Sequence, residues 1–161
     1  MNEILSEEVI ADMIRMAFQA RKQAYVPYSH FQVGAALLAE AETQGSNGIS
    51  EGRVIITGCN IENAAYSPGN CAERTAIFKA ISEGYNRFYA IAIVAGKESM
   101  TEEQIAKTDI YTSPCGMCRQ VLREFVNPDT FQVIMAKSET DYIVKTLAEL
   151  LPMSFGPDNL I

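Results

Sequence analysis

The sequence has no tryptophan and a single histidine, and 20 acidic residues outnumber 13 basic ones, for a formal net charge of −7. Both features disfavour a nucleic-acid partner. Polynucleotide binding rests on Lys and Arg neutralising phosphates, and single-strand binders add aromatic platforms in a basic groove. Long hydrophobic runs are also missing. Stretches such as 33–39 and 89–95 fall well short of the roughly 20 apolar residues of a membrane-spanning helix. The opening MNEILSEEVI is acidic and lacks the charged-then-apolar pattern of a signal peptide. Cysteine is scarce. Four cysteines in an untargeted chain of 161 residues make a poor disulfide framework, which points to a reducing compartment. What is present, 48% hydrophobic and 20% charged residues, is the balance of a globular protein. The expectation is one cytoplasmic domain over residues 1–161 that acts on small ligands.

Apolar positions Ile10, Met13, Ile14, Ala17, Phe18 and Ala24 recur at helical spacing and predict a helix over residues 6–25. Val26-Pro27 ends it, because the residue before proline is pushed out of the helical region. Strands are predicted over 31–39 and 53–59, joined across the polar, glycine-rich stretch 41–52. A helix follows over 71–83 with Gly84 in the capping place, then a nearly continuous apolar strand over 88–95. A helix over 115–125, short strands over 131–136 and 142–145, and a helical turn over 147–151 complete the chain. The order αββαβαββα predicts an α/β fold, with a mixed five-stranded sheet sandwiched between helices as a three-layer α/β/α sandwich.

Chemistry concentrates at two helix starts. Cys71 opens one helix, and Cys115 with Cys118 forms a CxxC at the start of another. Proline precedes both segments, as it often does at helix starts. Three thiolates in this arrangement suit a zinc site with one coordination position open. The helix dipoles would stabilise those thiolates. Glu73, two residues into the first turn after Cys71, is placed to stand beside the metal without binding it, as a base for the water that zinc acidifies. Arg74 is placed to donate to the cysteine sulfurs and offset their excess negative charge.

Plainer readings stand beside this one. A CxxC alone also serves as a redox pair or half of a structural zinc site, and Cys59 is available as a fourth sulfur for a closed one. Cys59 equally suits a small buried hydrophobe in its strand. Glu73 also fits as a favourable acid in a first turn, Asn60 as a turn residue, and Glu62 as a solvated charge. The lone His30, next to an aromatic residue, reads as structural rather than as a metal ligand. Phe31, Tyr66 and Phe155 are, by aromatic identity alone, core candidates.

Cys71-Ala72-Glu73-Arg74 and Pro114-Cys115-Gly116-Met117-Cys118-Arg119-Gln120 resemble the two halves of the all-cysteine signature of zinc nucleoside and nucleobase deaminases. Three further segments are similar to the small homotetrameric cytidine deaminases. They are Pro27-Tyr28-Ser29-His30-Phe31 with Val33-Gly34-Ala35-Ala36, then Gly58-Cys59-Asn60-Ile61-Glu62-Asn63-Ala64, and Leu150-Leu151-Pro152 with Phe155-Gly156-Pro157. The stretch 41–52 is longer than that family's usual loop.

The resemblance implies hydrolytic deamination of free cytidine and 2′-deoxycytidine, with one Zn²⁺ per subunit on Cys71, Cys115 and Cys118. In it, Glu73 takes a proton from the metal-activated water, passes it to N3, and later delivers one to the departing amino group. It further implies that Asn60 and Glu62 hold the ribose 3′-hydroxyl and that Phe31 packs on the pyrimidine. The amide of Ala72 would meet the ring carbonyl, and the carbonyl of Ser113 would accept from the amino group. Tyr66 and Phe155 match residues lent by neighbouring subunits, so a homotetramer with shared active sites is expected. A deaminase of modified nucleosides, a nucleic-acid editor and a structural-zinc interaction domain are the rival readings. The charge of −7 opposes the editor.

Overall fold

Ser6 caps α1 (Glu7–Arg21), its hydroxyl accepting from the Val9 N–H at 3.3 Å, with Glu7 and Glu8 at the positive end of the helix dipole. The computed structural model describes residues 5–40, 52–65 and 67–160. Five strands follow the predicted order: β1 (Phe31–Glu40), β2 (Arg53–Cys59), β3 (Phe88–Lys97), β4 (Gln132–Ala136) and β5 (Tyr142–Thr146). The helices after α1 are α2 (Ala72–Ser82), α3 (Glu102–Ala106), α4 (Gly116–Phe125) and α5 (Leu147–Leu150).

The sheet order is β2-β1-β3-β4-β5. Only β3 and β4 run parallel; the other neighbours are antiparallel. The parallel pair requires a crossover, and the segment that makes it contains α3 and α4. Side chains alternate across the pleat. Ala35, Leu37, Ile91, Ile93, Val133 and Met135 face α2, α4 and α5, burying Ala76, Ile77, Leu122 and Leu147. Ala36, Leu38, Ala90, Ala92, Val94 and Ile134 face α1, with Met13, Ile14, Ala17 and Phe18, and Ile105 of α3. Both faces are covered, which is why the central strands read as nearly unbroken apolar runs. The three-layer α/β/α reading holds.

Two details correct the sequence reading. The first helix stops at Arg21 rather than near residue 25, because the next segment pairs elsewhere: the Tyr25 N–H donates to the Asn60 carbonyl and the Glu62 N–H to the Tyr25 carbonyl. Ala24 therefore lies outside the helix. A short helix, α3, also stands where none was predicted. Its Thr101–Gln104 capping box supplies the start, but Ile105 is its only buried residue, so no apolar period betrays it.

Gly58 sets the contact between β2 and α2. A Cβ there would stand 2.4 Å from the Ala72 carbonyl oxygen and 2.5 Å from the Ala76 nitrogen. The bare backbone thus lets the first turn of α2 lie directly on the sheet. No described helix is long and apolar enough to cross a membrane.

Candidate metal centre

Cys71 and Cys115 are the residues that cap α2 and α4, both in extended backbone conformation. The Cys115 sulfur accepts from the Cys118 N–H at 3.4 Å, turning the CxxC back on itself. The two helix starts bring the three sulfurs together. Cys71 and Cys115 Sγ are 3.9 Å apart and Cys115 and Cys118 Sγ 3.4 Å, all within a 4.8 Å group.

These sulfurs fit zinc. With Zn–S near 2.3 Å, a tetrahedron has edges of about 3.8 Å, and the two shorter separations bracket that length. Among the described residues no other His, Cys, Asp or Glu joins the group. Cys59, the last residue of β2, and His30, which meets Glu98 at 3.1 Å, are both outside it. The closed four-cysteine reading therefore finds no support in the geometry.

Hydrogen bonds from Cys118, and then from Arg74 and Cys115, hold the Cys71 thiol down to about 5 despite partial burial. Cys118, sharing that proton and fully buried, is pushed up. Arg74 Nη2 donates to Cys71 Sγ at 3.4 Å. The cluster is thus already built to carry negative charge where a dication would sit.

Glu73 is 4% exposed in the first turn of α2. Burial lifts its carboxyl to about 7, and the neighbouring Cys71 charge adds to the rise. Ala72, fully buried, is the first residue of α2, so its N–H has no acceptor within the helix.

A cavity of about 560 Å³ opens beside Cys71 and Arg74 and is lined also by Tyr28, Asn60, Glu62 and Asn70. Asn60 is locked in place, accepting from the Val33 N–H at 2.8 Å and donating to the Phe31 carbonyl at 2.9 Å. Glu62 Oε2 accepts from the N–H groups of Tyr28 and Ser29 at 3.0 and 3.2 Å. Sequence reasoning read that turn as a helix end and as part of a family-like segment but did not see that its amides hold Glu62. Its signal was Val26-Pro27-Tyr28-Ser29, a turn preceding a strand, whose free amides need an acceptor.

Phe31, 39% exposed, lines an adjoining cleft rather than this cavity. Ser113 is exposed and sits just before the buried Pro114. Phe155 is 61% exposed, its carbonyl accepting from Gln120 at 2.9 Å. Tyr66 lies outside the described residues, as do residues 41–51 of the long loop.

Residues 7–135 match the family model for the cytidine and deoxycytidylate deaminase zinc-binding region. The chain is 45% identical over 151 residues to the cytidine deaminase of Sporosarcina psychrophila, covering 94% of each. It is also 45% identical over 148 residues to that of Halalkalibacterium halodurans, covering 92% of this chain and 95% of that one. Among solved structures, the cytidine deaminase of Burkholderia pseudomallei superposes with a TM-score of 0.69 at 39% identity, covering 89% of this chain and 97% of that one.

Proposed function

The chain belongs to the cytidine and deoxycytidylate deaminase zinc-binding family, and on that premise we propose that it hydrolyses free cytidine and 2′-deoxycytidine to uridine and 2′-deoxyuridine with release of ammonia. The observation that carries this reading is the burial of Glu73 two residues beyond one cysteine of a three-thiol cluster. Cys71, Cys115 and Cys118 hold the zinc, which when bound supplies an acidified water near neutral pH.

Glu73 moves the protons. Its carboxylate takes one from the attacking water and places it on N3, which makes C4 electrophilic. The same group then takes the remaining proton from the hydroxyl now on C4 and delivers it to the departing amine; the C4–N bond breaks as C4=O forms, leaving neutral ammonia and the uracil ring. A carboxyl poised near 7 suits both directions of transfer.

The remaining residues orient the nucleoside. Asn60, locked by Val33 and Phe31, and Glu62 grip the ribose 3′-hydroxyl; with Oε2 engaged by the 28–29 turn, Oε1 is the oxygen left for it. The Ala72 N–H meets the ring carbonyl, the Ser113 carbonyl accepts from the amino group, and Phe31 packs against the base. Tyr66 and Phe155 serve neighbouring active sites in a homotetramer; the exposure of Phe155 supports its part in this. Free thiols at all four cysteines suit a reducing cytoplasm, and the charge of −7 suits a free nucleoside better than a polynucleotide.

Ammonia release from cytidine by the zinc-loaded protein, with Glu73→Ala run alongside, tests the reading. Release by the parent and at least a roughly hundredfold loss in the variant are expected. A folded, zinc-loaded sample that releases none overturns it.

A further inference from the structure

The stretch from Lys107 to Cys115 has almost no regular structure, yet under the functional reading above it carries two groups of the site only two residues apart, the Ser113 carbonyl and the Cys115 thiolate. Something must fix it. Arg119, in the second turn of α4, places three guanidinium nitrogens on three oxygens. Nε donates to the Pro114 carbonyl at 2.8 Å, Nη2 to the Ser113 hydroxyl at 3.2 Å, and Nη1 to the Leu150 carbonyl at the end of α5 at 2.6 Å.

This use of an arginine is unusual in one respect: all three of these partners are neutral, and no described carboxylate lies at ion-pair distance from it. A point charge would not serve. Spanning two successive residues and a separate helix end takes the rigid planar fork that distinguishes Arg from Lys. The Leu150 carbonyl is one of those a helix leaves unsatisfied at its C-terminus, so the fork is anchored on a group that needs a donor. The Ser113–Pro114 turn is thereby tied both to the helix carrying Cys118 and to α5.

We propose that Arg119 is a positioning residue that sets amino-group selectivity by fixing the Ser113–Pro114 turn. The inference rests on the reading of the Ser113 carbonyl as acceptor for the 4-amino group. A fixed carbonyl rewards the N–H of cytidine and opposes the exocyclic C4 carbonyl oxygen that uridine has in place of the amino group. A turn that is free to move does neither, because selectivity of this kind depends on a polar group that cannot retreat from a wrong partner.

The test compares Arg119→Met, Arg119→Lys and Ser113→Ala with the parent in three measurements. They are KM for cytidine against the inhibition constant of uridine, zinc per chain, and amide hydrogen exchange over residues 107–118. In Arg119→Met, exchange across this stretch is expected to quicken about tenfold or more, with zinc retained. KM for cytidine is expected to rise about tenfold while uridine inhibition holds or tightens. Arg119→Lys keeps one donor and falls between; Ser113→Ala loses one bond and shows a smaller change of the same sign.

A merely structural role would lower stability and leave the cytidine-to-uridine ratio where it was. A ratio within twofold of the parent in Arg119→Met, or in Arg119→Lys should the first not fold, overturns the proposal, as does unchanged exchange. If the parent itself releases no ammonia from cytidine, the functional reading falls instead, and the exchange measurement still decides whether Arg119 holds the turn.

Discussion

Arg74 reaches back along the first turn of α2 to put Nη2 3.4 Å from the Cys71 sulfur. Residues three apart share a helix face, so the cation and the thiolate meet without distorting the backbone. On the proposed reading, three thiolates on one dication would leave net negative charge and weaken the metal as a Lewis acid, and Arg74 would draw some of that density away. Hydrogen bonds to charged groups are worth about 1.5–3 kcal/mol. Arg74→Ala is therefore expected to lower kcat by about 10- to 100-fold, and Arg74→Gln, which keeps a donor, by less. A zinc-loaded Arg74→Ala with kcat within twofold of the parent contradicts this role.

Metal removal should be reversible and should expose the thiols in a set order. With its thiol held to about 5, Cys71 is a thiolate at pH 6, whereas the fully buried Cys118 is pushed up and stays protonated. Chelation is expected to abolish deamination and zinc to restore it. In the chelated protein at pH 6, iodoacetamide should modify Cys71 well before Cys118, and added zinc should protect both. Mass spectrometry of the labelled peptides reads the order, and prior labelling of Cys118 counts against it.

Much of this site was legible because the chemistry is local. Cys71, Glu73 and Arg74 fall within one helical turn, and Cys115 with Cys118 within another, so spacing together with the preceding prolines predicted two helix starts bearing candidate ligands. β2 begins where the polar, glycine-rich stretch 41–52 gives way to an apolar run. Elements held by tertiary contact were harder to read. α1 stops early because residues 60–62 capture the backbone of Tyr25, and α3 rests on one capping box and one buried side chain. The Arg119 fork joins residues 31 apart, a relationship that no local pattern encodes.

Glu62 predicts a pH limit on nucleoside binding. The Ser29 side chain, with the N–H groups of Tyr28 and Ser29, holds its carboxyl below the ordinary value of 4.5. A depressed carboxyl contributes fully above its unfolded value and loses its effect only as pH falls through the lower folded one. KM for cytidine should therefore stay flat on this group's account down to about pH 4.5 and rise below it. Glu62→Gln should raise KM at neutral pH and remove that acid limb. An acid limb in KM centred above 4.5 and abolished by Glu62→Gln would show the carboxyl to be raised instead.

The contact at Gly58 couples packing to catalysis most directly. The atoms a Cβ would strike, the Ala72 oxygen at 2.4 Å and the Ala76 nitrogen at 2.5 Å, are helix backbone and have no rotamer by which to escape. Gly58→Ala must therefore move the start of α2 away from β2. Overpacking of this kind typically costs about 1–3 kcal/mol, or roughly 2–12 °C in Tm for a chain of this size. Ala72 lies between Cys71 and Glu73, so the displaced turn would carry the proposed metal ligand and proton carrier with it. Activity should fall further than the loss of folded protein explains. Gly116, with nothing within 4 Å of its missing Cβ, is the stability control, and Gly116→Ala should leave Tm within about 2 °C. If kcat per folded, zinc-loaded molecule is unchanged in Gly58→Ala, the sheet does not set the position of the catalytic turn.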